Sequence, residues 1–333
     1  CFDSRNQWNV NGSPSDASGY QGCLVDDDNH TFVYKRSCFP CGNYTLNAQQ
    51  TPTFSEYNYN PYLINSAFVG LTQSAEVSIS NSGFLNQFEG SPRSLAVSLH
   101  SPLNRGKIGL GAGFIRDEIG VTTSTSAFAT YSYKIFFDTK NNRPYWQIYT
   151  PNSLSFGISG GIQQYQDNLL ELGIMGDPNF AQNINATIPT IGVGILLNLA
   201  NFYVGLSNPN IIGDSFASND QNLDLQSPYY GYLGYRFFSS QFEELMIKPN
   251  LLVKHENGAP LQVDVNLAVS FRNRFEIGTG YRTNSSINLL AGLYFFKNLR
   301  AIYNYNLAFN DSPLGNTHGI VISYQFGDGY TRD

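Results

Sequence analysis

All four cysteines of the chain, Cys1, Cys23, Cys38 and Cys41, fall within its first 41 positions. Cys38-Phe39-Pro40-Cys41 has the spacing of a redox couple or of half a zinc site. A redox couple calls for a βαβ setting, and a zinc site for a second close pair. The surrounding Asn-, Ser-, Gly- and Asp-rich stretch supplies neither, so a structural role is expected. The chain has no initiator Met and no signal peptide, so it reads as a processed form. Cysteine at the first position then suggests cleavage before Cys1 and its acylation; the plain alternative is that Cys1 pairs with another cysteine. With Cys1 acylated, Cys23, Cys38 and Cys41 allow one disulfide and leave one thiol. Otherwise four cysteines allow three pairings. An oxidising compartment favours disulfides over free thiols.

Other reactive residues form no chemical constellation. Asp26-Asp27-Asp28 lacks the spaced ligands of a calcium loop and reads as a solvated acidic turn. His30, His100, His255 and His318 are scattered without metal spacing. No nucleophile elbow or phosphate loop is present, and Gly109-Leu110-Gly111-Ala112-Gly113 repeats glycine at every second position, which marks a strand face. Asp117-Glu118 and Glu243-Glu244 are adjacent pairs expected in turns. No enzyme activity, cofactor or metal is expected. A net charge of -6 argues against nucleic acid as a partner.

The elements that carry these residues are strands. In 258–271, Leu261, Val263, Val265, Leu267, Val269 and Phe271 alternate with Gln262, Asp264, Asn266, Ala268 and Ser270. Such alternation makes a strand with one oily and one polar face. A soluble sandwich turns the oily face inward; a membrane barrel turns it to lipid and keeps a polar lumen. Only 13% of residues are charged, whereas an ordinary soluble domain has about 25%. Tyr (22) and Phe (24) are abundant, yet mean hydropathy is -0.24. No run approaches the roughly 18 apolar residues of a membrane helix. These features point to an all-β transmembrane antiparallel barrel.

Fourteen candidate strands lie near 74–81, 93–100, 106–115, 122–137, 153–165, 188–199, 201–208, 228–239, 243–255, 259–272, 274–283, 286–296, 299–310 and 316–326. With both barrel ends periplasmic, the short connections at Ala200-Asn201, Asn273 and Lys297-Asn298 are periplasmic turns, and 166–187 and 209–227 are extracellular loops. Segment 138–152 is long for a periplasmic turn. Asn257-Gly258 reads as a type I′ hairpin turn. The organisation expected is an irregular cysteine-containing extension at 1–48, a pre-barrel or plug segment at 49–73, and an outer-membrane barrel at 74–333.

The order of short motifs resembles the PorP/SprF family of outer-membrane proteins that accompany the type IX secretion system. The likeness runs from Gln49-Gln50, Phe54-Ser55-Glu56-Tyr57, Asn60-Pro61 and Ile64-Asn65-Ser66-Ala67-Phe68-Val69-Gly70 to Ser91-Pro92, Ser101-Pro102, Gly109-Leu110-Gly111 and Asp117-Glu118-Ile119-Gly120. It continues through Leu154-Ser155-Phe156-Gly157, Gly205-Leu206-Ser207, Lys248-Pro249-Asn250, Gly258-Ala259-Pro260-Leu261-Gln262-Val263-Asp264 and Gly280-Tyr281-Arg282, covering about 49–326. Ser66 stands where the family usually has proline, and the 48 residues before Gln49 fall outside the likeness. The resemblance implies a barrel that helps export or anchor a large surface adhesin with a type-B C-terminal domain, as in gliding motility, with other envelope lipoproteins as further partners. It carries over no partner-gripping residue.

Three function classes follow: an anchor for a secreted surface protein, a porin or FadL-like channel for small substrates, and a secreted soluble β-protein. Strand phase predicts Val263, Val265, Leu267, Tyr303, Tyr305 and Leu307 toward lipid, and Asp264, Asn266, Asn304 and Asn306 toward the lumen. Lys248, Lys254, Asp264, Arg272, Glu276 and Arg282 are predicted to line the lumen, pairing across the wall or holding segment 51–70 there. The candidate partner-binding residues are the apolar ones in the two long loops: Leu169, Leu170, Leu172, Ile174, Met175, Phe180, Ile211, Ile212 and Phe216.

Overall fold

The computed structural model describes residues 24–25, 31–32, 55–83, 85, 90–137, 152–173, 182–212, 227–238, 244–283, 285–309 and 316–330. The chain divides into two compact units, Cys1–Leu46 and Asn47–Asp333. In the first, Leu24–Val25 pairs antiparallel with Thr31–Phe32. All four cysteines, and with them the acylation and disulfide expectations, lie outside the described residues.

The second unit is a closed antiparallel barrel of 14 strands. In chain order they are β1 (Glu76–Ser82), β2 (Arg93–Leu103), β3 (Ile108–Ile119), β4 (Thr122–Phe136), β5 (Ser153–Asp167), β6 (Ile184–Asn198) and β7 (Phe202–Asn208). There follow β8 (Tyr229–Tyr235), β9 (Leu245–His255), β10 (Gln262–Phe271), β11 (Phe275–Arg282), β12 (Ser286–Phe295), β13 (Leu299–Ala308) and β14 (Thr317–Gln325). Each pairs with its chain neighbours, and β14 returns to β1 with Tyr324 opposite Val77, so no edge is left open. Among the described residues no helix is long and apolar enough to cross a membrane; strands do so instead.

Burial is inverted relative to a soluble protein. Val265 is 51% exposed on the outside, while its neighbour Asp264 is 3% exposed on the inside. Ile79, Leu110, Ile158, Leu206, Leu267, Ile277, Tyr303 and Ile322 are exposed, whereas Ser78, Ser98, Ser132, Asn304 and Ser323 are buried. Water would not leave so much apolar surface uncovered on a monomer; hydrocarbon would. Phe271, Phe275, Phe295, Phe296 and Phe326 cluster where β10, β11, β12 and β14 meet their turns, forming one aromatic girdle. The protein is a membrane-spanning β-barrel.

Two details of the strand reading are corrected. The stave expected at 228–239 breaks at Arg236, whose guanidinium donates to Leu199 O and Asn198 Oδ1 and leaves Phe237–Phe238 as a separate two-residue strand on β9. Asn257-Gly258 is not a type I′ turn, because only Gly258 has positive φ there. The primed geometry occurs at Arg272-Asn273, where both φ values are positive (47° and 48°) and Arg274 N donates to Phe271 O at 2.8 Å.

Ahead of β1, the chain makes three short 3-10 turns, Ser55–Asn58, Pro61–Leu63 and Ser66–Phe68. Pro61 starts the second, where its missing N–H costs nothing. The Asn65 side chain caps the third by accepting from Ala67 N at 2.7 Å. Tight turns without a periodic apolar face suit a segment that must bury itself inside a barrel. Tyr57, Ile64 and Ala67 pack there against Leu196, Tyr230, Tyr232 and Leu252 of the wall.

Candidate functional site

The site is the lumen, and the chain's own residues 57–70 fill it. Its floor is built around Tyr59. The Tyr59 hydroxyl donates to Glu276 Oε1 at 2.5 Å, and Arg300 Nη2 donates to the Tyr59 carbonyl at 2.6 Å. Lys248 Nζ meets Glu276 Oε1 at 2.5 Å and Tyr294 donates to Oε2 at 2.9 Å, so three donors satisfy one buried carboxylate. Arg300 also reaches Glu76 Oε1 at 3.1 Å and Ser323 Oγ at 3.0 Å. The guanidinium lies 5.5 Å from the Tyr59 ring and 4.8 Å from that of Tyr330, in the turn following β14.

Further along, each plug residue takes a partner on a different part of the wall. Asn60 Nδ2 donates to Ser98 Oγ at 2.9 Å, and Tyr62 OH to Thr130 Oγ1 at 3.0 Å. Asn65 Nδ2 is shared among Ile195 O, Leu206 O and Tyr232 OH, while Ser207 Oγ donates to Ile64 O at 2.7 Å. Asn266 Nδ2 donates to Tyr57 OH at 2.6 Å. Lys134 Nζ and Ser132 Oγ both donate to Val69 O at 2.7 Å. The backbone comes so close to the wall that a Cβ at Gly109 would overlap the Val69 carbonyl, and one at Gly157 would overlap the Ser66-Ala67 peptide. Glycine at these inward positions is therefore a requirement of the plug.

Burial raises the phenol of Tyr59, and the Glu276 carboxylate beside it acts in the same direction. Burial pushes Tyr62 up to about 12, opposed by its hydrogen bond to Thr130. Tyr57 is raised by burial and by Asp264. All three act as neutral hydrogen-bonding groups at neutral pH.

Five of the six charges predicted for the lumen stand on its wall. Lys248 and Glu276 pair as described; Arg282 Nη2 meets Asp264 Oδ2 at 2.9 Å across β11 and β10; Lys254 Nζ meets Glu256 Oε2 at 3.1 Å. Arg272 is the correction: β10 ends at Phe271, so Arg272 sits in the turn at the rim and pairs with Glu244. Arg300, Glu76 and Lys134 also face the lumen, and strand parity signals each of them. Arg300 shares parity with Asn304, Glu76 with Ser78, and Lys134 with Ser132.

Among the cavities bordered by the described residues, two on opposite sides of the plug bear on the site. One of about 310 Å³ reaches the turn end beside Glu76, Arg300 and Tyr330. The other, about 140 Å³, faces the loop end between Leu63, Ile115, Asp117, Phe128 and Pro209. At that end a 3-10 turn, Leu169–Leu172, leaves Leu170 58% exposed, with Leu172 and Ile211 also exposed and Leu169 and Ile212 partly covered. Ile174, Met175, Phe180 and Phe216 lie outside the described residues. Among the described residues, no cluster of His, Cys, Asp and Glu could hold a metal ion.

A family described as "Type IX secretion system membrane protein PorP/SprF" matches residues 46–324. No curated protein matches the chain. Among solved structures, it is similar to the Acinetobacter baumannii outer membrane protein Omp33, at 8% identity and TM-score 0.45, covering 77% of this chain and 100% of that one. It is also similar to a deletion mutant of the monoaromatic hydrocarbon channel TodX, at 10% identity and TM-score 0.43, covering 79% and 93%. KdgM porin is similar at 9% identity and TM-score 0.35, covering 76% and 99%.

Proposed function

The chain belongs to the PorP/SprF family of type IX secretion system membrane proteins, and from that premise we propose that it is a holding barrel for an exported surface polypeptide. The partner in this reading is a large adhesin with a type-B C-terminal domain, with other envelope lipoproteins as candidates for the same assembly. The role is non-enzymatic: the barrel assists the adhesin's secretion, its retention at the surface, or both, as gliding and adhesion require.

The observation that carries this reading is the filled lumen. A diffusion channel needs a continuous aqueous path, but here Tyr57, Tyr59, Asn60, Tyr62 and Asn65 are each hydrogen-bonded to the barrel wall. A barrel whose bore is occupied by its own chain offers its ends to a partner. At the loop end, exposed Leu170, Leu172 and Ile211 supply apolar surface for a protein partner.

The test is purification from the native envelope in mild detergent, with mass spectrometry of what accompanies the barrel. A much larger exported polypeptide is expected, and deleting 169–175 should release it while the barrel stays folded. Isolation as a lone barrel from cells that demonstrably export their adhesins would overturn the reading. Large conductance in planar bilayers that is unchanged by deleting 51–70 would favour the porin or FadL-like alternative instead.

A further inference from the structure

We propose that the loop-end vestibule is a socket for a basic side chain, a lysine or arginine presented by the polypeptide that docks on this end of the barrel. The proposal rests on the holding-barrel reading and names the chemistry by which the partner is recognised.

The vestibule is a cavity of about 140 Å³ above the plug. Its lining is mostly apolar or hydroxylic, with Leu63, Ile115 and Phe128 on the apolar side and Ser124, Ser126 and Thr190 among the hydroxyls. Asp117 is the one charged residue among its described lining residues. It stands on the inward phase of β3, close to the loop end, and is only 8% exposed. Ser94, its cross-strand neighbour, hydrogen-bonds the carboxylate. The second oxygen, Oδ1, has no hydrogen-bond partner among the described residues.

A buried carboxylate with an unmatched oxygen costs stability unless a donor or a cation reaches it. Every other buried carboxylate named in the lumen has its cation: Glu276 has Lys248, Asp264 has Arg282, Glu76 has Arg300 and Glu256 has Lys254. Among the described residues Asp117 has no cation, and a cavity lies beside it. The cavity suits one long basic side chain, whose methylenes would lie along Leu63, Ile115 and Phe128 while the charged head meets the carboxylate. A metal ion is a poorer match, because the hydroxyls around a single carboxylate do not make a ligand set. A polypeptide is favoured over a free amine by continuity. Pro209 and Asn210 line the vestibule, and the next residue, Ile211, is exposed on the rim. One ligand can therefore cover the apolar rim and place its cation in the socket.

The test uses the full chain in detergent micelles, titrated with N-acetyl-lysine methylamide and with its uncharged analogue, N-acetyl-norleucine methylamide. The expected result is saturable binding of the lysine compound only, weakened at least tenfold in Asp117→Asn. Equal affinity for Asp117→Asn, as a carboxyl held neutral in place would give, overturns the socket, and so does the absence of saturable binding. Heat-modifiable migration on gels shows whether the variant barrel is folded. If Asp117→Asn does not fold, Ser126→Phe fills the vestibule with the carboxylate intact; lost binding supports the socket and retained binding overturns it. Capture of exported polypeptide in cells separates the two readings. If wild type and Asp117→Asn capture it equally, the socket fails and the holding barrel stands. If lysine binding depends on Asp117 but wild type captures no exported polypeptide, the holding barrel fails and the socket stands.

Discussion

Tyr59 donates its hydroxyl to Glu276 Oε1 at 2.5 Å, joining residues 217 positions apart in the chain. The contact ties the plug to the wall at the point where Lys248 and Tyr294 already converge on the same carboxylate. Tyr59→Phe keeps the ring in place and removes one donor to a buried charged acceptor, a loss of about 1.5–3 kcal/mol. The barrel should still form, because no strand pairing is touched. The plug should loosen, which limited proteolysis at residues 51–70 and single-barrel conductance both read. Unchanged protection and unchanged conductance would show that this bond does not hold the plug.

Gly157 lets the Ser66-Ala67 peptide lie against β5. Gly157→Leu would put a side chain where that backbone runs, so the plug must leave the lumen or the barrel must distort. Gly160 has nothing within 4 Å of an added Cβ, so Gly160→Leu is the control. Conductance should rise in the first variant and stay at the wild-type level in the second. Equal conductance in both would mean that the close approach does not fix the plug.

Val265 points to lipid and Asp264 to the lumen. An arginine in place of Val265 should cost about 2–4 kcal/mol if that position lies near the bilayer midplane. The measurement is reversible unfolding in liposomes. A cost near zero would place Val265 at the membrane interface or the strand in the opposite phase.

The plug tyrosines predict an alkaline transition. Burial raises Tyr57, Tyr59 and Tyr62 above their unfolded value, Tyr62 to about 12. A group raised in this way contributes stability that is fully present below the unfolded phenol value of about 10 and is lost as pH rises through the folded value. Plug retention should therefore be constant up to about pH 10 and fall as pH rises above it, the Tyr62 contribution being lost by about pH 12. Tyrosine absorbance and conductance, followed together against pH, check this. Conductance that begins to rise well below pH 10 would point to a different group.

Local alternation carries most of the staves and their phase, and the order of short motifs carries the family. Alternation has a period of two residues and needs only neighbours to be read, so Val265 and Asp264 fall on opposite faces before any fold is known. The same parity marks Arg300 and Glu76 as inward-facing once a strand is followed to its end. What it could not supply is which residues meet inside the ring, because closure brings together positions such as Tyr59 and Glu276 that share no local pattern. Tertiary structure also decided the departures from the pattern. Arg236 breaks its stave because its guanidinium finds the Leu199 and Asn198 oxygens, and Arg272 leaves the wall because two consecutive positive φ values end β10 at Phe271. By sequence Asp117 is expected in a turn as half of an acidic pair, but β3 runs on to Ile119 and holds it in the wall. Only the plug packed beneath it makes its inward carboxylate part of a cavity, because an enclosed space is a property of surfaces brought together by the whole chain.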